Sequence, residues 1–247
     1  MSIETENDLS SLMTIGKLVG LTLRAMKEHV RPGITTGELD AVGSDFMSRY
    51  GVRSAPMLLV HFPRANCISV NEEAAHGIPG NRVIREGDLV KLDVTGELDG
   101  YYADAAITVA VPPVPARKQK LVECARSTLS EAIGAARAGN PLNRIGAAAE
   151  AEARRRGMQI VTELTGHGVG RSMHEEPTVP NFYSPAFRRP LTEGLVLAIE
   201  PHVTTGRGDI VQAPDGWTLR TRDGSPVANF EHTIVVTKGR PIVVTAS

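Results

Sequence analysis

An α+β protein made of two similar helix-plus-sheet halves facing across a cleft is the fold class the sequence predicts, and three observations predict it. The segments PGITTGELDAVGSDFMSRYG and AGNPLNRIGAAAEAEARRRG share one skeleton, in which a glycine opens, an apolar-periodic helix follows and a glycine closes. Gly33 to Gly51 and Gly139 to Gly157 are the same step of 18 residues, and the two copies are offset by 106. Each copy has a longer amphipathic stretch before it and β-branched runs after it. No Pro/Ser-rich linker separates the copies, so one domain over residues 1–247 is expected, with halves at about 12–110 and 118–245.

The first helix is predicted over residues 12–30, with Ile15, Val19, Leu23 and Met26 on one stripe. Its counterpart is predicted over 121–138, with Ala125, Leu129 and Ala132 at the shifted positions. The second helix of the first copy opens on the capping box Thr35-x-x-Glu38. Its counterpart opens on Asn140 followed by Pro141, a side-chain cap and a residue whose missing N–H is harmless in a first turn. Gly51 and Gly157 fall where a left-handed residue closes a helix. Strand-like runs follow, DLVKLDVTG and YYADAAITVAV in the first half, then IVTEL, LVLAIEPHV, GWTLRT and ANFEHTIVVT in the second.

Composition narrows the function classes. With 41% apolar and 22% charged residues the chain is of ordinary globular type, and a net charge of -1 supplies no basic field to hold a nucleic acid by its phosphates. The N-terminus, MSIETENDLSSL, is acidic and polar where a secretory signal is basic and then apolar. No apolar run approaches the roughly 18 residues of a membrane-spanning helix. A cytoplasmic protein without a membrane partner is expected. Cys67 and Cys124 are too few for a disulfide framework and lack the paired spacing of a zinc site, so both are predicted to be reduced.

Carboxylates inside strands carry the chemistry. KLDVTGELDGYYADA reads as a hairpin, and a turn centred between Leu98 and Asp99 sets Asp93 opposite Asp104. Two carboxylates so placed repel unless a cation lies between them. Glu200 in LVLAIEPHV and Glu231 in ANFEHTIVVT sit inside apolar runs, where an unpaired ionised carboxylate costs several kcal/mol. An arginine could answer any one of the four. All four together, with His167 between two glycines, make a cation site the simpler account, and two divalent ions balance four carboxylates. Oxygen-rich ligation with one imidazole suits Mn²⁺, Fe²⁺, Co²⁺ or Zn²⁺ rather than a thiolate zinc site or an all-oxygen calcium cage.

Five motifs in this order, AAHGIPG with His76, KLDVTGELDGYYADA with Asp93 and Asp104, GHGVGRSMHEEP with His167 and His174, AIEPHV with Glu200 and NFEHTIVVT with Glu231, resemble the type I methionine aminopeptidases. The similarity runs from about Leu12 to the C-terminus. It implies the pita-bread fold and hydrolysis of the N-terminal methionine from nascent chains whose second residue is small. Carried over position by position, it implies that Asp93 chelates one metal, that His167 and Glu200 bind the other, and that Asp104 and Glu231 bridge them. Glu200 would also move a proton to the leaving amine, His174 would donate to the developing oxyanion, and His76 would contact the backbone beyond the scissile bond. The methionine pocket would be lined by Leu59, Phe62, Cys67, Met173 and Trp217. Leu59 stands where the family commonly has tyrosine, Pro56 where it has cysteine, Met173 where it has an aromatic residue and His202 where it has methionine. The pocket stays apolar but is less aromatic.

The remaining histidines are expected to be ancillary: His29 at a helix end, His61 at a surface or pocket rim, His232 pointing away from Glu231, and His202 as an accessory to the site. Arg207-Gly208-Asp209, Asp215-Gly216 and Asp223-Gly224 read as turns. Two rival readings share the scaffold. Aminopeptidase P and prolidase carry an extra N-terminal domain, whereas this chain opens on the first catalytic-domain helix. A non-catalytic module that holds proteins or ribosomes typically loses metal ligands, and here all five are present. Peptide or nascent-protein N-termini are the expected partners, ribosome association is left open, and a monomer is the default.

Overall fold

Thr5 takes the Asp8 backbone N–H while the Asp8 carboxylate takes the Thr5 N–H, and this reciprocal cap opens α1 (Glu6–His29) six residues ahead of the predicted start. The computed structural model describes residues 1–246. The predicted stripe holds: Leu12, Ile15, Val19, Leu23 and Met26 are buried, each contributing about 1.5–3 kcal/mol. Thr35 and Glu38 form the expected capping box of α2 (Thr36–Arg49). Then come β1 (Arg53–Ser54), α3 (Ala55–Val60), β2 (Cys67–Val70), β3 (Glu73–Ala75) and the hairpin β4 (Leu89–Leu98) and β5 (Tyr101–Ala110).

The second half begins with α4 (Ala116–Ala135) and α5 (Asn143–Arg155). Asn140 does not open α5. Its side-chain amide donates to the Ala135 carbonyl at 2.9 Å and so closes α4, while Leu142 takes the N-cap place without a side-chain cap. Gly51 and Gly157 close their helices at φ +71° and +73°, and the opening glycines Gly33 and Gly139 lie at +93° and +87°. The 106-residue offset thus pairs four backbone sites of like conformation.

The remaining strands are β6 (Gln159–Ile160), β7 (Thr165–Gly168), β8 (Glu175–Pro180), β9 (Val196–Ile199), β10 (His202–Thr204), β11 (Ile210–Gln212), β12 (Leu219–Thr221), β13 (Val227–Asn229), β14 (His232–Val235) and β15 (Ile242–Val243). IVTEL is not a strand beyond Ile160. The Leu164 N–H turns back onto the Val161 carbonyl, and the chain then enters a different sheet at Thr165. LVLAIEPHV and ANFEHTIVVT each split into two strands, with the acid in the break.

Sheet order is β1-β4-β2 with β5 on the free side of β4, and β15-β14-β9-β7-β8 in the second half; β13-β10-β6 and β11-β12-β3 are smaller sheets. One apolar core joins α1 and α2 to the β4/β5 face, and a second joins α4 and α5 to β9, β13 and β14. Strand β5 is stitched to the second half largely by hydroxyls. Asp104 N–H donates to Thr233 Oγ1 at 2.9 Å, whose hydroxyl donates back to the Asp104 carbonyl at 2.8 Å; Thr108 and Asn229 make the same reciprocal pair at 2.7 and 2.9 Å. Glu231 N–H completes the seam on the Ala106 carbonyl at 2.9 Å. The Lys91 ammonium adds a buried tie from β4, donating to the carbonyls of Asn71 and Val227 at 3.1 and 3.0 Å.

The hairpin register differs from the sequence reading. Leu98 pairs with Tyr101, so Asp99 and Gly100 form the whole turn, with φ +50° and +79°. That is the two-residue Asp-Gly turn whose positive φ values match strand twist. Asp104 therefore faces Thr95, and Asp93 faces Ala106. Side chains alternate in pairs along a strand, so Asp93 and Asp104 still share a face, as diagonal rather than direct neighbours.

Candidate metal centre

Two breaks in strands create the acidic half of the site. Ile199 pairs with His232 and His202 with Asn229, so the same register runs on both sides of the interruption and Glu200 lies opposite Glu231. Pro201 cannot donate to a ladder, which accounts for a break at that point. The seam from β5 brings Asp104 to this break, and β7, paired with β9, brings His167 to it through the pair His167–Ala198.

One ligand atom each from Asp104, His167 and Glu231 lies within 4.8 Å of the others. His167 Nε2 is 3.4 Å from Glu200 Oε1 and 4.0 Å from Asp104 Oδ2, while Asp93 is the diagonal neighbour of Asp104 on the same face of the hairpin. Asp104, His167, Glu200 and Glu231 thus come together, and Asp93 shares the hairpin face with Asp104. Asp104 Oδ1 and Glu231 Oε1 are buried without a hydrogen-bond partner among the described residues. Buried polar atoms are rarely left so, and each costs on the order of 1–3 kcal/mol or more. A divalent cation would satisfy these oxygens, and the residues fit it.

The electrostatics agree. Burial pushes Asp93 up to about 7. It raises Asp104 well above the ordinary carboxylate range, with Asp93 adding to the effect, and raises Glu200 and Glu231, with Asp104 the most strongly repelling neighbour. His167 is held down at about 4, mainly by burial, so its ring is neutral at pH 7. Its Nδ1 is 2.9 Å from the Gly168 carbonyl, which fixes the proton there and leaves the Nε2 lone pair toward the carboxylates.

The glycines flanking His167 have a steric reason. A Cβ on Gly166 would lie 2.3 Å from the Ala198 carbonyl oxygen, and one on Gly168 would lie 2.3 Å from that of Glu176. Gly168→Ala should therefore cost about 1–3 kcal/mol by overpacking and weaken Mn²⁺ binding as β7 shifts. Denaturant melts and calorimetry on one preparation check both, and unchanged values in each would refute the argument.

The other two predicted histidines, His76 and His174, are exposed. The His174 and His167 rings meet edge to face, centroids 4.4 Å apart. Desolvation lowers the pKa of His174, and desolvation followed by the nearby His174 lowers that of His76. His76 holds φ +55°, a left-handed conformation uncommon outside glycine and enriched at functional sites. The His174 loop is gathered by Glu175, which accepts the N–H groups of Arg171 and Ser172 at 2.6 and 2.8 Å and pairs with the Met1 ammonium.

Of the predicted pocket residues, Phe62 and Trp217 meet at 5.2 Å in a T-shaped contact, Cys67 pairs in register with Asp93, and Met173 is buried beside His174. Leu59 is 44% exposed on α3. His61 is exposed, His29 bonds the Ala25 carbonyl at 2.8 Å, and His232 turns to Thr245 Oγ1 at 2.8 Å, away from its neighbour's carboxylate. His202 is buried with Nδ1 2.9 Å from the Glu200 carbonyl and 3.9 Å from its carboxylate. Thr95, Thr233 and Asn229 escaped the sequence reading. Their signal was polarity at inward positions of apolar strands, a pattern too common to single them out.

The site defines a metal-dependent hydrolase, and the whole-chain comparisons name its family. The chain belongs to metallopeptidase family M24, whose family model matches residues 11–238. It is 40% identical over 247 residues to methionine aminopeptidase 2 of Bacillus subtilis, covering 99% of each chain, and 42% identical over 250 residues to a methionine aminopeptidase of Staphylococcus epidermidis, covering 99% of this chain and 98% of that one. The crystal structure of methionine aminopeptidase from Rickettsia prowazekii superposes with a TM-score of 0.96 at 34% identity over the full length of both. The prolidase of Pyrococcus furiosus, at 20% identity and TM-score 0.79, shares the fold over 99% of this chain and 65% of its own. The fold is the pita-bread fold. No helix among the described residues is long and apolar enough to cross a membrane.

Proposed function

We propose that this chain is a type I methionine aminopeptidase, a single catalytic domain over residues 1–247 with duplicated halves, which removes N-terminal methionine from peptides and nascent proteins whose second residue is small. The observation that carries the reading is the gathering of Asp104, His167 and Glu231, with Glu200 beside His167 and with one carboxylate oxygen each of Asp104 and Glu231 buried and unpartnered among the described residues. Two divalent ions fit: Asp93 would chelate one, His167 and Glu200 the other, and Asp104 and Glu231 would be shared. The mixed carboxylate and imidazole set suits manganese, iron, cobalt or zinc. Bound there, such ions supply Lewis acidity that can lower a water's pKa from roughly 15.7 to about 7.

The chain's own groups do the rest. Glu200 takes a proton from the attacking water and passes it to the leaving amine. His174 donates an N–H to the oxygen that becomes negative in the tetrahedral intermediate. His76, fixed in its left-handed conformation, holds the peptide backbone beyond the scissile bond. Phe62, Cys67, Met173 and Trp217 wall the pocket for the first side chain, with Leu59 at its edge, and His202 braces Glu200. The protein acts as a cytoplasmic monomer near its nascent-chain substrates, a setting that includes the ribosome.

A metal titration of chelated protein tests this. Release of methionine from a Met-Ala peptide should return with Mn²⁺ or Co²⁺, and methionine should be preferred over alanine or lysine at the first position. A stable protein that binds metal but hydrolyses nothing would give first place to the non-catalytic binding module. Turnover without first-residue preference would point to an aminopeptidase of altered specificity, a reading the low aromatic content of the pocket favours over other rivals.

A further inference from the structure

Four consecutive apolar side chains, Met57, Leu58, Leu59 and Val60, are each between 40% and 49% exposed on the single turn of α3. Scattered exposed leucines need no explanation, but a contiguous apolar patch on a soluble protein marks an interaction surface. The patch is held firmly. Ser54 caps the turn through the Met57 N–H, the N–H groups of His61 and Phe62 return to the Pro56 carbonyl, and His61 takes a left-handed φ of +56°. No charged residue interrupts the run from Ala55 to Val60.

Its surroundings say what covers it. Phe62, two residues on, is buried against Trp217. The Arg64 guanidinium donates to the Pro79 carbonyl at 3.1 Å, tying this loop to the segment that starts at His76. The loop's ends pair with the strand that carries Asp93, Ser54 opposite Gly96 and Cys67 opposite Asp93. The loop that displays the apolar lip thus also carries Phe62 and Cys67 of the proposed pocket and is tied to the segment that follows His76.

We propose that the Met57–Val60 lip is a docking surface for the substrate's own downstream chain, favouring apolar side chains from the third residue onward. This rests on the aminopeptidase reading, since the occupant is the peptide whose first residue fills the pocket. Burial of one or two apolar side chains against the lip is worth about tenfold in KM.

The test compares wild type with the triple variant Met57→Gln, Leu58→Gln, Val60→Thr, which spares Leu59. Wild type should show a KM about tenfold lower for Met-Ala-Leu-Leu-Lys than for Met-Ala-Ser-Ser-Lys. In the variant that ratio should fall to near one, with turnover of the dipeptide Met-Ala unchanged. An equal ratio in both proteins, or none in wild type, overturns the proposal. If no peptide is hydrolysed, the aminopeptidase reading has failed, and anisotropy with labelled Ala-Leu-Leu-Lys and Ala-Ser-Ser-Lys decides the lip separately. Tighter binding of the apolar peptide, lost in the variant, supports the surface, and indifference overturns it. A wild-type dimer in sedimentation that the variant abolishes would assign the lip to a second copy of this chain and likewise overturn the proposal.

Discussion

Asp104→Asn is expected to abolish metal-dependent release of methionine, lowering the rate on a Met-Ala peptide by on the order of 10³-fold. The same substitution should raise the melting temperature of the chelated protein. Asp104 lies against Asp93 and, with His167 and Glu231, at the centre of the acidic cluster, so its charge is the one whose removal relieves the most repulsion. The wild type should show the matching pH dependence. Burial raises the folded-state pKa of Asp93 from 3.8 to about 7, and raises those of Asp104, Glu200 and Glu231 as well. Across the window from about 4 to 7 the folded state therefore holds more protons than the unfolded one, and stability falls as pH rises through it. Chelated protein should melt higher at pH 5 than at pH 8, and excess Mn²⁺ should restore the loss at pH 8. Thermal scans with and without chelator check this. Equal melting points at both pH values without metal would mean that the carboxylates do not share one buried space.

Replacing His174 with alanine should cost about 10²–10³-fold in kcat and leave Mn²⁺ affinity by calorimetry close to wild type. The ring stacks edge to face on His167, yet on the proposed roles it donates to the oxyanion rather than to a metal. His167→Ala provides the contrast, since its Nε2 faces Glu200 and Asp104 and its loss should weaken metal binding directly. If His174→Ala lost metal as His167→Ala does, the two histidines would have to be counted as ligands together. If it kept full kcat, the oxyanion role would pass to another donor.

Individual residues show how much could be read in advance. Acids inside apolar runs were legible because burial of a bare carboxylate has few remedies, and the duplicated glycine steps were legible because left-handed backbone restricts the residue type. The hairpin register was misplaced even though its Asp-Gly turn signal was present, and the diagonal placement of Asp93 and Asp104 follows from strand alternation once Asp99 and Gly100 are taken as the turn. Asn140 was legible as a cap but not as a cap for the preceding helix, because an amide can serve either neighbour and only packing chooses. Leu59 could be matched to a pocket position, whereas its exposure on α3 depends on where the turn sits against β4.

The sequence by itself determined the helix pairs, their amphipathic stripes, and the identities of five side chains able to hold divalent cations, because periodicity, capping and the cost of buried charge act locally. Tertiary structure alone decided that Glu200 and Glu231 face each other across paired strand breaks and that Asp104 reaches them along a seam of threonine hydroxyls. Contacts between residues thirty to more than a hundred positions apart carry no local signature, so their geometry emerges only when both cores close on the same cleft.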